Sequence, residues 1–231
     1  MNELIVEGIS KKYKSQIALH PFSFSASGGM CVVLCGGNGA GKSTLLQMIA
    51  GILAPSSGTA DINGKRLGLS REEYLTEIGF MPDDFHAQEM MTVIEFLRFY
   101  GNFRKVGKAR VDEVMEMIGL EEKRSALIKS LSKGMRQRLI FGQSILAKPN
   151  LLLMDEPTNG LDPYWVDRFV SILHEIKKNG TIILFSTHMM DVAAETGDKI
   201  LFMKQGEMIQ TIENNEYKEE TTMALLKLHR S

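Results

Sequence analysis

The sequence predicts an α/β fold in which helices cover a mainly parallel β-sheet. One observation is the apolar run MCVVLC at 30–35, which is followed by a glycine-rich stretch and then by a segment whose apolar residues have the spacing of a helix. A second is a pair of short apolar runs, at 150–157 and 181–188, each suited to a buried parallel strand. The third is the amphipathic segment 162–180 between them. Strands that alternate with helices in this way favour a parallel sheet with helical layers.

The first part of the chain predicts strands, a helix and a hairpin. The segments 3–9 and 17–26 have the character of short strands and lie on either side of the polar stretch SKKYKS. A helix follows the glycines and is expected to end at Gly51, because glycine readily adopts the left-handed conformation that ends helices. The dipeptide Asn63-Gly64 is a strong signal for a hairpin turn.

The middle of the chain is rich in helical signals. Thr92 and Glu95 have the spacing of a capping box, in which each residue satisfies an exposed N–H group at the start of a helix. The amphipathic segment 108–119 predicts a second helix that ends at its glycine.

Strands and helices alternate again toward the end of the chain. Asp162 has the position of an N-cap before Pro163, and Gly180 has the position of a helix stop. The segment 198–211 predicts another hairpin, and 223–230 predicts a short terminal helix that docks on the rest of the protein.

Composition and charge weigh against several classes of protein. The 231 residues include 27 Lys and Arg against 28 Asp and Glu, whereas a nucleic-acid binder usually carries a basic excess. No apolar run approaches the roughly 18 residues of a membrane span. The first ten residues lack the basic segment of a secretory signal. The length suits one large domain or two small ones.

The two cysteines, Cys31 and Cys35, lie in the same predicted strand. Positions four apart in a strand are about 13 Å apart, whereas a disulfide needs Cα atoms within about 7 Å of each other. We therefore expect two buried free thiols, as found in proteins of a reducing compartment.

The glycine-rich stretch has the pattern G-x-x-x-x-G-K-S of a phosphate-binding loop, set between a predicted strand and a predicted helix. Backbone N–H groups of such a loop converge on phosphate oxygens, and the helix N-terminus adds a positive dipole. Lys42 is expected to reach the β- and γ-phosphates, and Ser43 to hold Mg²⁺. The alternative is a plain glycine-rich turn. The predicted nucleotide-binding residues of the loop are Gly36, Gly37, Asn38, Gly39, Ala40, Gly41, Lys42, Ser43 and Thr44.

An acidic pair, Asp155 and Glu156, follows the apolar strand 151–154. Ligands of α/β sheets bind at the carboxyl ends of the strands. Asp155 suits a water-mediated contact to Mg²⁺, and Glu156 suits the orientation and polarisation of an attacking water. The alternative is an acid pair that caps the next helix.

The segment SLSKGMRQRL at 130–139 further restricts which class of nucleotide-binding protein the sequence indicates. Ser132 can cap a helix whose first turn includes Gly134, which would give a second helix N-terminus suited to an anion. Together with the other motifs, this segment resembles the ATP-binding subunit of ABC transporters, whose signature is LSGGQ. Here the signature is LSKGM, so Lys133 and Met135 depart from its commonest form. The pattern is most similar to that of the exporter-type branch of the family.

The resemblance covers nearly the whole chain and implies its organisation. It implies a single ATP-binding domain over 1–231 with a phosphate-loop NTPase core and a mainly parallel sheet. An N-terminal antiparallel β subdomain and a helical insertion at about 84–147 complete that domain.

The resemblance also assigns roles to single residues. Asp162 lies in NGLD, which is similar to the D-loop between the two ATP sites of a dimer. His188 is similar to the switch histidine at the γ-phosphate, so the implied catalytic set is Lys42, Glu156 and His188. Tyr13 has the position of a ring that stacks on adenine, with an exposed surface tyrosine as the alternative.

One position departs from the family. Asp83 stands where the family usually has the glutamine of the Q-loop. A carboxylate can also ligate Mg²⁺, but it cannot donate a hydrogen bond when ionised. The implied metal contacts are therefore Ser43, Asp155 and Asp83, with a simple turn acid as the alternative for Asp83.

The resemblance implies an ATPase that uses ATP and Mg²⁺. Two ATP-binding subunits, identical or different, would close on ATP and reopen after hydrolysis. They would drive a separate integral membrane permease, in the export direction, from the cytoplasmic face of the membrane, and no nucleic-acid partner is expected. The alternatives are an ABC-type ATPase acting on nucleic acid or ribosomes, and a phosphate-loop kinase or GTPase.

Overall fold

A computed structural model describes residues 2–14, 16–83, 88–214 and 218–230. The strands are β1 (Glu3–Tyr13), β2 (Gln16–Ser27), β3 (Cys31–Cys35), β4 (Ser57–Ile62), β5 (Lys65–Arg66), β6 (Ile78–Met81), β7 (Leu151–Met154), β8 (Ile182–Thr187), β9 (Lys199–Lys204) and β10 (Glu207–Glu213). The α-helices are α1 (Lys42–Ile49), α2 (Arg71–Thr76), α3 (Val93–Phe103), α4 (Lys108–Met117), α5 (Lys133–Ile145), α6 (Pro163–Lys178), α7 (Met190–Thr196) and α8 (Lys218–Arg230). Two 3₁₀ turns span Glu121–Lys123 and Ile128–Ser130.

The strands form two sheets. The first is antiparallel and has the order β2-β1-β4-β5. The second has the order β10-β9-β3-β8-β7-β6, and all its pairs are parallel except β10 with β9. The prediction of a mainly parallel sheet beside an N-terminal antiparallel sheet is confirmed.

The five parallel strands of the larger sheet are mostly buried on both faces, which explains why they are mainly apolar runs, whereas the edge strand β10 is exposed. Along β3, Cys31, Val33 and Cys35 belong to one hydrophobic cluster, whereas Val32 and Leu34 belong to the other. Successive side chains of a strand point to opposite faces, so every residue of β3 is in a core. Both thiols are free, as predicted, and burial raises the pKa of each to about 12.

The predicted helix boundaries follow from local hydrogen bonds. The Thr92 hydroxyl accepts from the N–H of Glu95, whose carboxylate accepts from the N–H of Thr92, so the capping box is confirmed. Asp162 Oδ1 accepts from the N–H of Trp165 at 2.9 Å. Gly51, which follows α1, has a φ of 69°, in the left-handed region that favours glycine.

Several elements differ from the prediction. Strand β1 runs to Tyr13, so most of the polar stretch 10–15 is paired strand, and pairing with β2 overrides its polar composition. The short helices α2 and α7 are not among the elements that the sequence predicts. The predicted terminal helix is confirmed and is longer, since α8 begins at Lys218. Leu225 of α8 is fully buried in the core.

Helices α3, α4 and α5 lie between β6 and β7 along the chain. They occupy most of the interval 84–147 for which a helical subdomain is predicted, although residues 84–87 lie outside the described residues. The subdomain boundaries stay a prediction. In the part of the chain that the structure describes, no helix has the length and apolar character needed to cross a bilayer.

Candidate functional site

The loop between β3 and α1 carries the predicted phosphate-binding glycines, which are required for different reasons. A Cβ on Gly36 would lie 2.2 Å from the carbonyl oxygen of Met203. A Cβ on Gly41 would lie 3.0 Å from a side-chain carbon of Leu19 in β2. Both residues have positive φ, 147° and 97°. Packing and backbone conformation therefore exclude larger residues there. A Cβ on Gly37 or Gly39 would meet nothing within 4 Å, so these positions border open space.

An open cleft lies beside this loop at the carboxyl ends of the strands, where α/β sheets bind ligands. It combines the loop and the start of α1 with the start of β2 and with residues that follow β6, β7 and β9. The lining residues are Gln16, Ile17, Ala18, Asn38, Gly39, Ala40, Gly41, Lys42, Ser43, Thr44, Asp83, Glu156 and Gln205. The cleft thus brings together predicted residues from three separate parts of the sequence.

Lys42 begins α1, and its ammonium is buried against the loop that precedes it. Nζ donates hydrogen bonds to the carbonyl oxygens of Gly36 at 2.8 Å and Gly37 at 3.2 Å. It also lies 3.7 Å from Oε1 of Glu156. The structure therefore places these two predicted catalytic side chains together at the cleft.

The two acidic residues after β7 have different surroundings. Asp155 is 4% exposed, and its Oδ1 accepts a hydrogen bond from the Ser186 hydroxyl at 2.6 Å. Glu156 lines the cleft, and its Oε2 lies 2.8 Å from Nδ1 of His188. The Glu156 carboxylate therefore lies between the Lys42 ammonium and the His188 imidazole. A carboxylate held in this way can orient a water molecule and accept its proton.

The backbone of Glu156 adopts a conformation that is unusual for a residue other than glycine. Its φ is 46°, in the left-handed region that costs roughly 1–2 kcal/mol. Neighbouring side chains hold it there, because Ser186 Oγ accepts from the Glu156 N–H at 2.9 Å. The Gln137 amide donates to the carbonyl oxygens of Glu156 and Pro157 at 3.2 and 3.3 Å.

Asp83 follows β6 by two residues and lines the cleft. Its Oδ1 accepts a hydrogen bond from Nδ2 of Asn159 at 2.8 Å. The structure thus places Asp83 close to the predicted phosphate-binding residues, while its contact to Mg²⁺ stays a prediction.

The predicted signature residues are not part of the cleft lining. Ser132 is exposed and caps α5, since its Oγ accepts from the N–H of Met135 at 3.2 Å. Gly134 packs against the turn before Asp162, and a Cβ there would lie 2.7 Å from the carbonyl oxygen of Gly160. Within one chain, Ser132 and Gly134 therefore take part in helix capping and packing and do not line the cleft beside the loop.

Three polar residues to which the sequence assigns no part hold the site in place: Gln137, Asn159 and Ser186. Ser186 lies in the apolar strand before His188, and Gln137 lies in the helix of the signature segment. A serine in an otherwise apolar strand, and a glutamine on the buried face of a helix, are the signals that could have indicated them.

Tyr13 is at the end of β1 and is 49% exposed. Its ring contacts the Lys11 ammonium, which lies 4.9 Å from the ring centroid. It pairs across the strands with Gln16, which lines the cleft, but Tyr13 itself is not among the lining residues. Stacking on adenine stays a prediction.

We expect Tyr13→Ala to weaken binding of both ATP and GTP by about 2- to 12-fold, because an aromatic stacking contact contributes about 0.5–1.5 kcal/mol. Wild-type affinities for ATP and GTP are expected to lie within about tenfold of each other, since stacking does not distinguish purines strongly. Equilibrium titration with fluorescent nucleotides measures both. Phe103→Ala, which removes an exposed aromatic ring from the end of α3, is the control. Unchanged affinity for both nucleotides in Tyr13→Ala would show that Tyr13 does not stack on the base.

The oxygen ligands at this edge of the sheet fit a Mg²⁺ ion that is shared with phosphates. Ser43 offers a hydroxyl, and Asp83 and Asp155 each have one carboxylate oxygen already fixed by a hydrogen bond. Within the described ranges, no group of three or more His, Cys, Asp or Glu side chains could hold a metal by itself. Mg²⁺ is typically bound by one or two carboxylates together with substrate phosphates, so the donor set suits such a site.

The fold and the cleft define a phosphate-loop α/β protein. The family description "ABC transporter" matches residues 19–159. The uncharacterized ABC transporter ATP-binding protein YxlF of Bacillus subtilis is 37% identical over 221 residues, which span 94% of this chain and 73% of that protein. The Nod factor export ATP-binding protein I of Ralstonia nicotianae is 34% identical over 210 residues, which span 89% of this chain and 65% of that protein. The chain belongs to the family of ABC transporter ATP-binding proteins, and it is therefore an ATP-binding ATPase.

Solved structures agree with this assignment. An ATP-binding subunit of an ABC transporter has a TM-score of 0.86 and 28% identity, with 96% of this chain and 99% of that chain covered. The ATP-binding cassette MJ0796, solved as a dimer with ADP and Pi, has a TM-score of 0.85 at 24% identity, with 93% and 100% covered, and it shares the fold.

Proposed function

We propose that this chain hydrolyses ATP to drive a separate integral membrane permease, in the export direction. The observation that supports hydrolysis is the meeting of Lys42 and Glu156 at 3.7 Å beside the glycine-rich loop, and membership of the ABC transporter family supports the permease. A cation for the phosphates and a carboxylate for the attacking water lie at the same end of one cleft. The export name of one relative supports the proposed direction.

The predicted residues in and beside the cleft have proposed parts in the reaction. The loop 36–44 binds the phosphates, with Lys42 at the β- and γ-phosphates. Glu156 orients the attacking water, and His188, whose imidazole contacts Glu156, lies at the γ-phosphate. Mg²⁺, when bound, would neutralise charge on the phosphates, and Ser43, Asp83 and Asp155 are the residues that would hold it, directly or through water.

A second ATP-binding subunit completes the proposed site. Ser132 and Gly134 are at the exposed start of α5, outside the cleft of their own chain. Helix N-termini favour anions, so this end is suited to the phosphates bound by a partner copy. Asp162 begins the neighbouring helix α6 and is proposed to lie at the same interface. The subunit would work at the cytoplasmic face of the membrane, through its permease.

The permease partnership is tested by purification from detergent-solubilised membranes of the source cells. A tagged chain is expected to bring down an integral membrane protein in a fixed ratio, and the complex is expected to hydrolyse ATP. Lys42→Ala is the matched control, because it should assemble equally well and hydrolyse at a far lower rate. Recovery of the tagged chain free of any membrane protein, from both membranes and cytosol, would contradict the proposed partnership.

A further inference from the structure

A carboxylate and an amide from two separate segments meet at the edge of the cleft. Strands β6 and β7 pair in parallel, with Met81 opposite Met154. Asp83 and Asn159 follow these strands, so both come to the same edge of the sheet. Asn159 Nδ2 donates to Asp83 Oδ1 at 2.8 Å.

Asn159 is fixed on its other side to the residue proposed to activate water. Its N–H donates to the carbonyl oxygen of Glu156 at 3.1 Å. The same carbonyl oxygen, and that of Pro157, accept hydrogen bonds from the amide of Gln137. The turn that carries Asn159 is therefore tied both to Glu156 and to α5.

The hydrogen bond limits what the Asp83 carboxylate can do. A carboxylate accepts through two oxygens, and with Oδ1 held by the amide, Oδ2 keeps its lone pairs. Hydrogen bonds to a ligating carboxylate orient it, and their loss typically costs 10- to 100-fold in metal affinity. A glutamine at position 83, as the family usually has, could not supply a negatively charged ligand.

We propose that Asn159 is a positioning residue that orients Asp83 as a ligand for the Mg²⁺ of the bound nucleotide, an inference that rests on the proposed function. Asn159 does not touch the metal and acts through Asp83. Because Asn159 is tied to Glu156 by the same turn, it also fixes the metal ligand relative to the water-activating carboxylate.

A purely structural role is the competing explanation. Asn159 precedes Gly160, and a Cβ on Gly134 would lie 2.7 Å from the Gly160 carbonyl oxygen. Loss of Asn159 could therefore loosen the packing of this turn on α5 without any effect on a metal. Metal affinity measured apart from hydrolysis separates the two roles.

The experiment uses Mn²⁺ as a paramagnetic probe on the full chain saturated with ADP, followed by electron paramagnetic resonance. We expect Asn159→Ala to weaken Mn²⁺ binding about 10- to 100-fold and Asp83→Ala to weaken it at least as much. The double variant should bind Mn²⁺ no more weakly than Asp83→Ala, because a residue that acts through Asp83 has no effect without it. Asn179→Ala, which removes an exposed amide at the end of α6, should match the wild type.

The outcomes are distinct. The inference would be overturned if Asn159→Ala bound Mn²⁺ as tightly as the wild type does. It would also be overturned if the losses of Mn²⁺ affinity in the two single variants added up in the double variant. If Asn159→Ala does not fold, Asn159→Ser carries the same expectation, because its hydroxyl is too short to reach Asp83. Inactive Lys42→Ala together with unchanged Mn²⁺ binding in Asn159→Ala would refute this inference alone, whereas active Lys42→Ala would refute the proposed function itself.

Discussion

Lys42→Ala is expected to lower the ATPase rate by about 10²–10³-fold, the typical effect of removing one preorganised group that stabilises charge in a transition state. The wild-type ammonium is already held at the loop by the carbonyl oxygens of Gly36 and Gly37. The ammonium therefore already lies at the predicted phosphate-binding loop. Because charge develops at the γ-phosphate during hydrolysis, kcat should fall more than ATP affinity.

The measurement is steady-state phosphate release, with ATP binding followed separately. Lys178→Ala is the matched control, because it removes an exposed lysine from the end of α6 and leaves the cleft unchanged. Circular dichroism should show that Lys42→Ala is folded, since the lost hydrogen bonds are to loop carbonyls and not to the core. Wild-type turnover in Lys42→Ala would refute the assignment of the phosphate-binding loop.

Features that depend on burial and local hydrogen bonds could be predicted from the sequence. The run at 30–35 is apolar because successive side chains of β3 are buried in two different cores. Every residue of the strand must therefore be apolar, and this is visible in the sequence. The caps at Thr92 and Asp162 depend on partners three residues away. Residue type and spacing therefore define the position of both helix starts.

Features that depend on strand order could not be predicted. Ser186 contacts both Asp155 and Glu156 only because β8 is the neighbour of β7 in the sheet. Asn159 reaches Asp83 only because β6 is the other neighbour. No spacing in the sequence reports such neighbours. The extension of β1 to Tyr13 has the same cause, because its pairing with β2 outweighs a polar composition.

Glu156→Gln is expected to slow hydrolysis far more than it weakens ATP binding, and to trap a dimer when ATP is present. The amide keeps the size of the side chain and an oxygen that can accept from His188. It loses the negative charge that lies 3.7 Å from Lys42 and that polarises the attacking water. Since ATP is proposed to bind the closed pair better than the open monomer, blocked hydrolysis should shift the population toward the pair.

Multi-angle light scattering should therefore show Glu156→Gln as a monomer without nucleotide and increasingly as a dimer with ATP. Adding Ser132→Arg should abolish the shift, because a bulky side chain then replaces the small residue that caps α5 beside the shared phosphates. Ser171→Arg in the same background introduces the same side chain on the exposed face of α6 and should leave the dimer intact. A dimer that persists with Ser132→Arg would refute the shared site. Absence of any shift in Glu156→Gln alone would show that the second subunit is not another copy of this chain.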